Sequence, residues 1–519
     1  MHIRKVKSLA YWLLSCWLCG QVSAQNLSNT QNQVTASDST ATQRLLTFLD
    51  QFQNGPLARH GTVALSVRRV RDGESLVGYN SRQSLSSAST LKLITTATAL
   101  ATLGPNFTYT TTLEYDGIIR DSTLTGNLYL RGSGDPSLGT WRYTGYPDAN
   151  TLLLIWSDAV RKAGIKRIDG VVIGDAALYD DLPTPDTWPW GDLGNYYGAG
   201  LSALNFNENL YRVIFRPGKT VDSPATVLRT EPALPYLTLI NRVTTDKAGT
   251  GDQVNIYGAP FAEQQWLTGK VPMGVSEFAV KGSLPDPAQY VAFALAGQLR
   301  NDSVRILNPP VAVRPDQPWP DAVKTGRPDA KVVPKRIVLH QYKSPVLLEL
   351  AQQTNFQSIN LYAEALLRTA ARQINPKTRS VADAVEAVER FWRSKGANLD
   401  GFRIRDGSGL STVGALTADN MTGILAAMGR ERVFPQFYET IPVVGQTGTV
   451  RNMARNTPAA GNVRAKSGTI EGVRAYAGYF TAKSGELMSF SVMINKYTPG
   501  QSRAVGNQLE RLMALLVDL

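Results

Sequence analysis

After Gly104-Pro105 the sequence changes character, and that change limits how the chain can fold. Up to that point the pattern reads helix, hairpin, helix. Leu45, Leu46, Leu49 and Phe52 mark an amphipathic helix that ends before Gly55-Pro56. Thr62 to Arg69 alternates as a strand, Asp72-Gly73 supplies a turn, and Leu76 to Tyr79 returns. A second helix starts near Ser89, with Leu93, Ala97, Leu100 and Ala101 at helical spacing and no Gly or Pro as far as Leu103. Beyond it, short strands separated by Gly, Asp and Pro dominate to about residue 283: Thr110 to Tyr115, Gly126 to Arg131, Val171 to Gly174, Leu210 to Phe215, Leu237 to Val243 and Val254 to Tyr257. A helix at Leu152 to Ala163 interrupts them, and helical patterning resumes at Pro285. Residues 110–283 therefore read as a mostly-β unit inserted into another.

The remainder closes that other unit. Ser344-Pro345 reads as an N-cap followed by proline at the first helical position. A helix over Leu361 to Ala371 follows, with Ser358 and Asn360 in the tight connection before it, then a helix from Ser380 to Ser394 capped by Ser380 with Asp383 one turn on. Val463 to Thr469 and Val473 to Thr481 read as strands joined at Glu471-Gly472; Met488, Phe490, Val492 and Ile494 alternate in a third, and a helix bearing Val505, Leu509, Leu512 and Leu516 ends the chain. The expected architecture is α/β and multidomain. An antiparallel sheet flanked by the first and last helices lies beside an all-helical subdomain, spanning residues 41–109 and 284–519, with the inserted unit at 110–283.

Composition narrows the chemistry. A chain of 519 residues, 43% of them hydrophobic, exceeds one ordinary domain and can bury a large core. The first 24 residues read as a secretory leader: Arg4, Lys5 and Lys7, an apolar stretch from Leu9 to Leu18 too short to span a bilayer, then Val22-Ser23-Ala24. Residues 25–40, rich in Ser, Thr, Asn and Gln, read as a flexible lead-in. Cleavage after Ala24 makes the protein exported, periplasmic or otherwise extracytoplasmic. It also removes both cysteines, Cys16 and Cys19, which excludes disulfides and thiol catalysis from the mature chain. The formal charge of +12 falls to +9 with the leader, enough for peripheral association with anionic envelope polymers, while no basic run with interleaved aromatics points to nucleic acid. Only His60 and His340 remain after the leader, so a Ser-His-Asp triad or a multi-histidine metal site fits poorly.

Ser89 and Lys92 stand one helical turn apart, so hydroxyl and amine share a face. The positive end of the helix dipole favours a developing oxyanion and disfavours an ammonium beside it. A neutral Lys92 can then take the Ser89 proton without any histidine. A Ser-x-x-Lys tetrapeptide arises by chance about once in a chain of this length, so the pair alone reads equally as a helix cap and a solvated lysine.

Two further short motifs follow in order: Ser358-Ile359-Asn360 between helices and Lys466-Ser467-Gly468-Thr469 on a strand. With this set the chain resembles the penicillin-recognising serine acyl-transferases. It is more closely similar to the low-molecular-mass D-alanyl-D-alanine carboxypeptidase/endopeptidase family, peptidase family S13. The 269 positions between Ser89 and Ser358 match the large insertion of that family, as do Gly132-Ser133-Gly134-Asp135-Pro136, Asp406-Gly407-Ser408-Gly409-Leu410-Ser411, and Gly472-Val473 with Ala477-Gly478-Tyr479. The resemblance runs from about residue 41 to the end. Ile359 replaces a common Asp and Ser467 a common Thr, leaving the hydroxyls and the Asn360 amide in place.

The resemblance implies a β-lactamase/transpeptidase-like catalytic domain and hydrolysis of peptidoglycan stem peptides ending in D-Ala-D-Ala, with β-lactams as covalent inhibitors and no metal or organic cofactor. It implies Ser89 as nucleophile, Lys92 as base, Ser358 as proton shuttle, Asn360 holding Lys92 and a substrate amide, and Lys466 as positive charge near the substrate carboxylate. Ser467 and Thr469 hydroxyls bind that carboxylate, and the backbone N–H groups of Ser89 and Thr469 form the oxyanion hole. Lys483-Ser484-Gly485 repeats part of the third motif but reads as a hairpin turn. The aromatic stretch from Trp188 to Tyr197 reads either as cleft rim or as packing within the insert. A serine β-lactamase and a non-catalytic envelope-binding protein are the competing functions.

Overall fold

The computed structural model describes residues 39–180, 182–315 and 335–519. The expected leader and residues 25–38 of the lead-in lie outside the described residues. Ser39 and Thr40, read as the end of the lead-in, instead open the first helix, Ser39–Asn54. Among the described residues no helix is long and apolar enough to cross a membrane.

Five antiparallel strands form the central sheet in the order Arg464–Ile470, Val473–Thr481, Leu487–Asn495, Thr62–Arg69, Ser75–Tyr79. Alternation along the strands sorts side chains onto two faces. Val63, Leu65 and Val67 pair across from Ile494, Val492 and Phe490, and this face packs against Ser39–Asn54 and the last helix, Ser502–Val517, through Leu45, Leu49, Leu509, Leu512 and Leu516. The other face carries Ala64, Ser66, Ala475, Ala477, Ser489 and Ser491. Small residues let helix Ala418–Met428 lie close, and two of the hydroxyls find partners on it: Ser66 Oγ is 2.8 Å from both Asp419 Oδ1 and Thr422 Oγ1, and Ser489 Oγ donates to Thr422 O at 3.2 Å.

Helix Lys92–Leu103 is the axis of the helical subdomain; residues 92–100 are all buried, so it is enclosed on every side. It packs against Leu347–Gln357, Asn360–Ile374 and Ala418–Met428. Its threonines satisfy their hydroxyls locally or across the packing: Thr96 and Thr98 donate to Lys92 O and Ile94 O at 2.7 Å, and Thr95 donates to Gly407 O at 2.6 Å. Helix Val381–Ser394 joins through Trp392, whose Nε1–H donates to Thr98 Oγ1 at 2.8 Å, and begins at the expected Ser380–Asp383 capping box. Ser344 is not a helix cap. Its Oγ accepts from Tyr109 N at 2.9 Å and donates to Pro345 O, and the helix starts at Leu347 with Val346 before it.

Four sheets make the insertion mostly β. The largest is mixed, in the order Val311–Val313, Val172–Asp175, Leu128–Arg131, Thr110–Tyr115, Ile337–Lys343. The sheet of the expected insert continues past residue 283, where the sequence reading ended it. Strand Ile337–Lys343 pairs antiparallel with Thr110–Tyr115, and helix Pro287–Asn301 packs on Val172–Asp175 and Val311–Val313. We place the return to the first unit after Lys343, because the hydrogen bonding of the inserted sheet continues to that residue.

Trp392 fills the junction of the helical subdomain with no exposure. Trp392→Ala is expected to lower unfolding stability by about 3–5 kcal/mol, the cost of deleting a large buried aromatic, read as a shift in urea midpoint at unchanged m-value.

Candidate active site

The turn that carries Ser89 is wound more tightly than the sequence suggests. Ala88–Leu91 is a 3-10 turn that runs directly into helix Lys92–Leu103, so Ser89 sits in the 3-10 segment and Lys92 opens the α-helix. Ala88 takes a left-handed conformation at φ 43°. Loop 406–411 presses against its carbonyl, at a point where Gly409 (φ 78°) has no room for a Cβ.

Lys92 Nζ has three oxygen neighbours: Ser89 Oγ at 2.9 Å, Asn360 Oδ1 at 2.6 Å and Ser408 O at 2.8 Å. The lysine is fully buried, and burial pulls its pKa down to about 7 against the opposing pull of the Asp406 and Glu364 carboxylates. A neutral amine suits this cage. When neutral, it can donate its two N–H bonds to the Asn360 and Ser408 oxygens and turn its lone pair to the Ser89 hydroxyl proton.

The second motif is placed by a left-handed residue. Ser358 (φ 59°, ψ 39°) ends helix Leu347–Gln357, and Asn360 begins Asn360–Ile374 two residues on. This sharp reversal sets Ser358 Oγ 2.9 Å from Lys466 Nζ while Asn360 reaches Lys92. Lys466 lies on the edge strand Arg464–Ile470, fully buried, with its Nζ also donating to Ser467 O at 2.7 Å. Burial, and then the neighbouring Lys92, hold its pKa well below the usual lysine value. Ser467 Oγ is 2.7 Å from Thr449 Oγ1, and Thr469 is exposed on the cleft wall. A Cβ on Gly468 would stand 2.6 Å from Ser87 O and 3.0 Å from Ser89 N, so glycine is what lets this strand lie against the nucleophile turn.

The cleft above these groups, about 1030 Å³, is lined by Ser89, Ser358, Asn360 and Thr469 together with Asp192 and Tyr197 of the insert. Ser89, Lys92, Ser358, Asn360 and Lys466 thus converge from three distant stretches, with the two lysines behind the cleft wall. Lys483-Ser484-Gly485 is an exposed turn between Val473–Thr481 and Leu487–Asn495.

Glu364 escaped the sequence reading, and the contacts of Asp406, Trp188 and Tyr197, which that reading did name, are set only by the fold. Glu364, one turn after Asn360, accepts from Gly407 N and from Ser408 N at 2.9 Å, and so aims the Ser408 carbonyl at Lys92. Burial and the nearby Asp406 push the Glu364 carboxyl up to about 7. Its signal was present as one acid among Leu361, Ala365 and Leu366 on a buried helix. Asp406 accepts from Gly409 N, Ser411 N and, from the insert, Trp188 Nε1 at 2.8 Å. Asn360 Nδ2 donates to Tyr197 O at 2.7 Å. Both readings of the aromatic stretch therefore hold in part: Tyr197 is at the rim, while Trp190 packs 4.9 Å from the Tyr257 ring within the insert.

Comparison with known proteins places the chain in a family. Residues 49–516 match the model of the D-Ala-D-Ala carboxypeptidase 3 (S13) family. A D-alanyl-D-alanine carboxypeptidase of Actinomadura sp. (strain R39) is 28% identical over 87% of this chain and 80% of its own. The D-alanyl-D-alanine carboxypeptidase DacB of Haemophilus influenzae is 23% identical over 86% of this chain and 87% of its own. The crystal structure of penicillin binding protein 4 (dacB) from Haemophilus influenzae superposes with a TM-score of 0.73 at 21% identity, covering 90% of this chain and 97% of that one; the same protein complexed with a β-lactam gives 0.69. The match extends from the first helix through the last, across the insertion and all three motifs, and the chain belongs to the D-Ala-D-Ala carboxypeptidase S13 family.

Proposed function

We propose that this chain is a serine D-alanyl-D-alanine carboxypeptidase acting outside the cytoplasmic membrane on peptidoglycan stem peptides, with endopeptidase cleavage of cross-linked stems by the same chemistry. Penicillins acylate the same oxygen. The observation that carries the reading is the three-oxygen cage around a buried Lys92, with the Ser89 hydroxyl oxygen 2.9 Å from its amine. Family membership and the names of the relatives support the substrate class. The leader-like first 24 residues support the location.

In this mechanism Lys92 takes the Ser89 proton as Oγ attacks the carbonyl between the terminal D-alanines. Charge develops on the carbonyl oxygen between the backbone N–H groups of Ser89 and Thr469. The C–N bond then breaks, Ser358 passes a proton to the leaving amine, and the proton on Lys92 replaces it. Water releases the acyl group from Ser89. Lys466 has a conditional role: burial and Lys92 disfavour its charge in the empty site, and the arriving substrate carboxylate, bound by Ser467 and Thr469, restores it.

Incubated with a fluorescent penicillin, the wild-type protein is expected to gain one covalent adduct by intact-mass spectrometry, and Ser89→Ala none; no adduct on folded wild type overturns the proposal. The acylation rate constant is expected to rise with pH through about 7, because the proton must leave Lys92 before it can act as base. A rate that falls over that range assigns the base elsewhere. Trp188→Phe keeps the ring and removes the donor to Asp406. It is expected to slow acylation roughly tenfold with little change in thermal midpoint, by loosening the loop that holds Lys92; a fall in midpoint with unchanged kinetics in the folded fraction contradicts that link.

A further inference from the structure

We infer that a second cavity, on the inserted unit, is a saccharide subsite that takes the glycan strand carrying the stem peptide; this rests on the peptidoglycan reading above. The cavity measures about 480 Å³, and its walls include Trp141, Asn150, Asn207, Arg212, Glu231 and Lys281. Trp141 is 50% exposed, in contrast to the fully buried Trp156 and Trp392. A large aromatic held in a concavity among planar polar side chains matches what a pyranose offers. The ring takes the apolar C–H face, while amide, carboxylate and guanidinium groups pair with neighbouring hydroxyls and N-acetyl groups.

Two features mark the cavity as built. Asn207, Glu208 and Asn209 all adopt left-handed backbone (φ 52°, 56° and 55°), a run that L-residues take only when the surroundings impose it. It sets Asn207 on the cavity wall and Glu208 on the inside. There Glu208 accepts from Thr140 Oγ1 at 2.8 Å, Arg142 Nη2 at 3.0 Å and Tyr362 OH at 3.1 Å. Arg142 stands 5.3 Å from the centre of the Trp141 ring, and Tyr362 lies on the helix that begins with Asn360. The tryptophan wall is thus tied to the catalytic helix. Secondly, the cavity retains polar capacity. Among the described residues Arg212 and Lys281 have no carboxylate partner, and Lys281 Nζ instead faces the Tyr196 ring at 5.7 Å.

That contact also sets the distance to the chemistry. Tyr196 packs 5.4 Å from Tyr197, which lines the catalytic cleft, so a ridge of one lysine and two tyrosines separates the two sites. A stem peptide of about five residues reaches at most roughly 17 Å when extended, which bounds how far its sugar can lie from a terminal D-alanine over Ser89.

The test compares two substrates and one ligand. For the wild type and Trp141→Ala, kcat and KM are measured on a glycan-linked muropeptide and on a soluble tripeptide ending in D-Ala-D-Ala, and a peptide-free chito-oligosaccharide is titrated by calorimetry. The wild type is expected to bind the oligosaccharide. Trp141→Ala is expected to abolish that binding and to raise KM for the glycan-linked substrate roughly tenfold relative to the tripeptide. Absence of oligosaccharide binding to the wild type, or equal losses on both substrates, overturns the inference; so does displacement of the tripeptide from a Trp141-dependent site, which makes the occupant peptide. Lys281→Ala is the second variant, expected to weaken oligosaccharide binding without abolishing it. A protein that binds the oligosaccharide through Trp141 but cleaves neither substrate refutes the carboxypeptidase reading and leaves the sugar site standing.

Discussion

A lysine with no exposed atoms is unfavourable unless its charge is lost or fully matched, and the catalytic centre is arranged around that demand. Lys92 meets it by surrendering most of its basicity and by touching three oxygens that come from three separate stretches of chain. Each oxygen has its own support. Ser89 is held in a 3-10 turn against strand Arg464–Ile470, Asn360 by the left-handed Ser358 before it, and the Ser408 carbonyl by Glu364 bonding two consecutive amides. A second buried lysine, Lys466, shares the neighbourhood, and Lys92 disfavours its charge.

The insertion is part of this centre. Trp188 donates to Asp406, which ties the amides of the loop carrying Ser408, and the Tyr197 carbonyl takes the free amide N–H of Asn360. Both hydrogen bonds join residues more than one hundred positions apart, and both act on a partner of Lys92. A unit that reads as detachable in the linear order of elements thus holds, by two hydrogen bonds, residues that surround Lys92. Close approach at the same place depends on glycine, since a side chain at 409 or 468 would meet the nucleophile turn.

Periodicity made most elements legible. The strands Thr62–Arg69 and Leu487–Asn495 alternate cleanly because one face is fully apolar and the other small, and the cap at Ser380 is read correctly because Ser and Asp satisfy each other within one turn. Ser344-Pro345 misled for the opposite reason: the serine had a better acceptor role waiting in the Tyr109 amide, which is 235 positions away. The pairing that extends the inserted sheet was hidden in the same manner. Strand Ile337–Lys343, with His340 and Gln341 in its middle, carries little alternation, and nothing local names Thr110–Tyr115 as its partner.

The sequence by itself determined which groups can do chemistry, two hydroxyls, two amines and one amide in three short motifs, and the order of helices and strands that carries them, because both are written in residues a few positions apart. The tertiary structure decided what those groups are. Lys92 loses its charge near neutrality because packing shuts out water, Glu364 becomes a positioning carboxyl because Gly407 and Ser408 arrive beside it, and an inserted tryptophan reaches a catalytic loop because sheets join strands across the length of the chain. Proton affinity and loop geometry follow from surroundings, and surroundings are assembled only when distant segments meet.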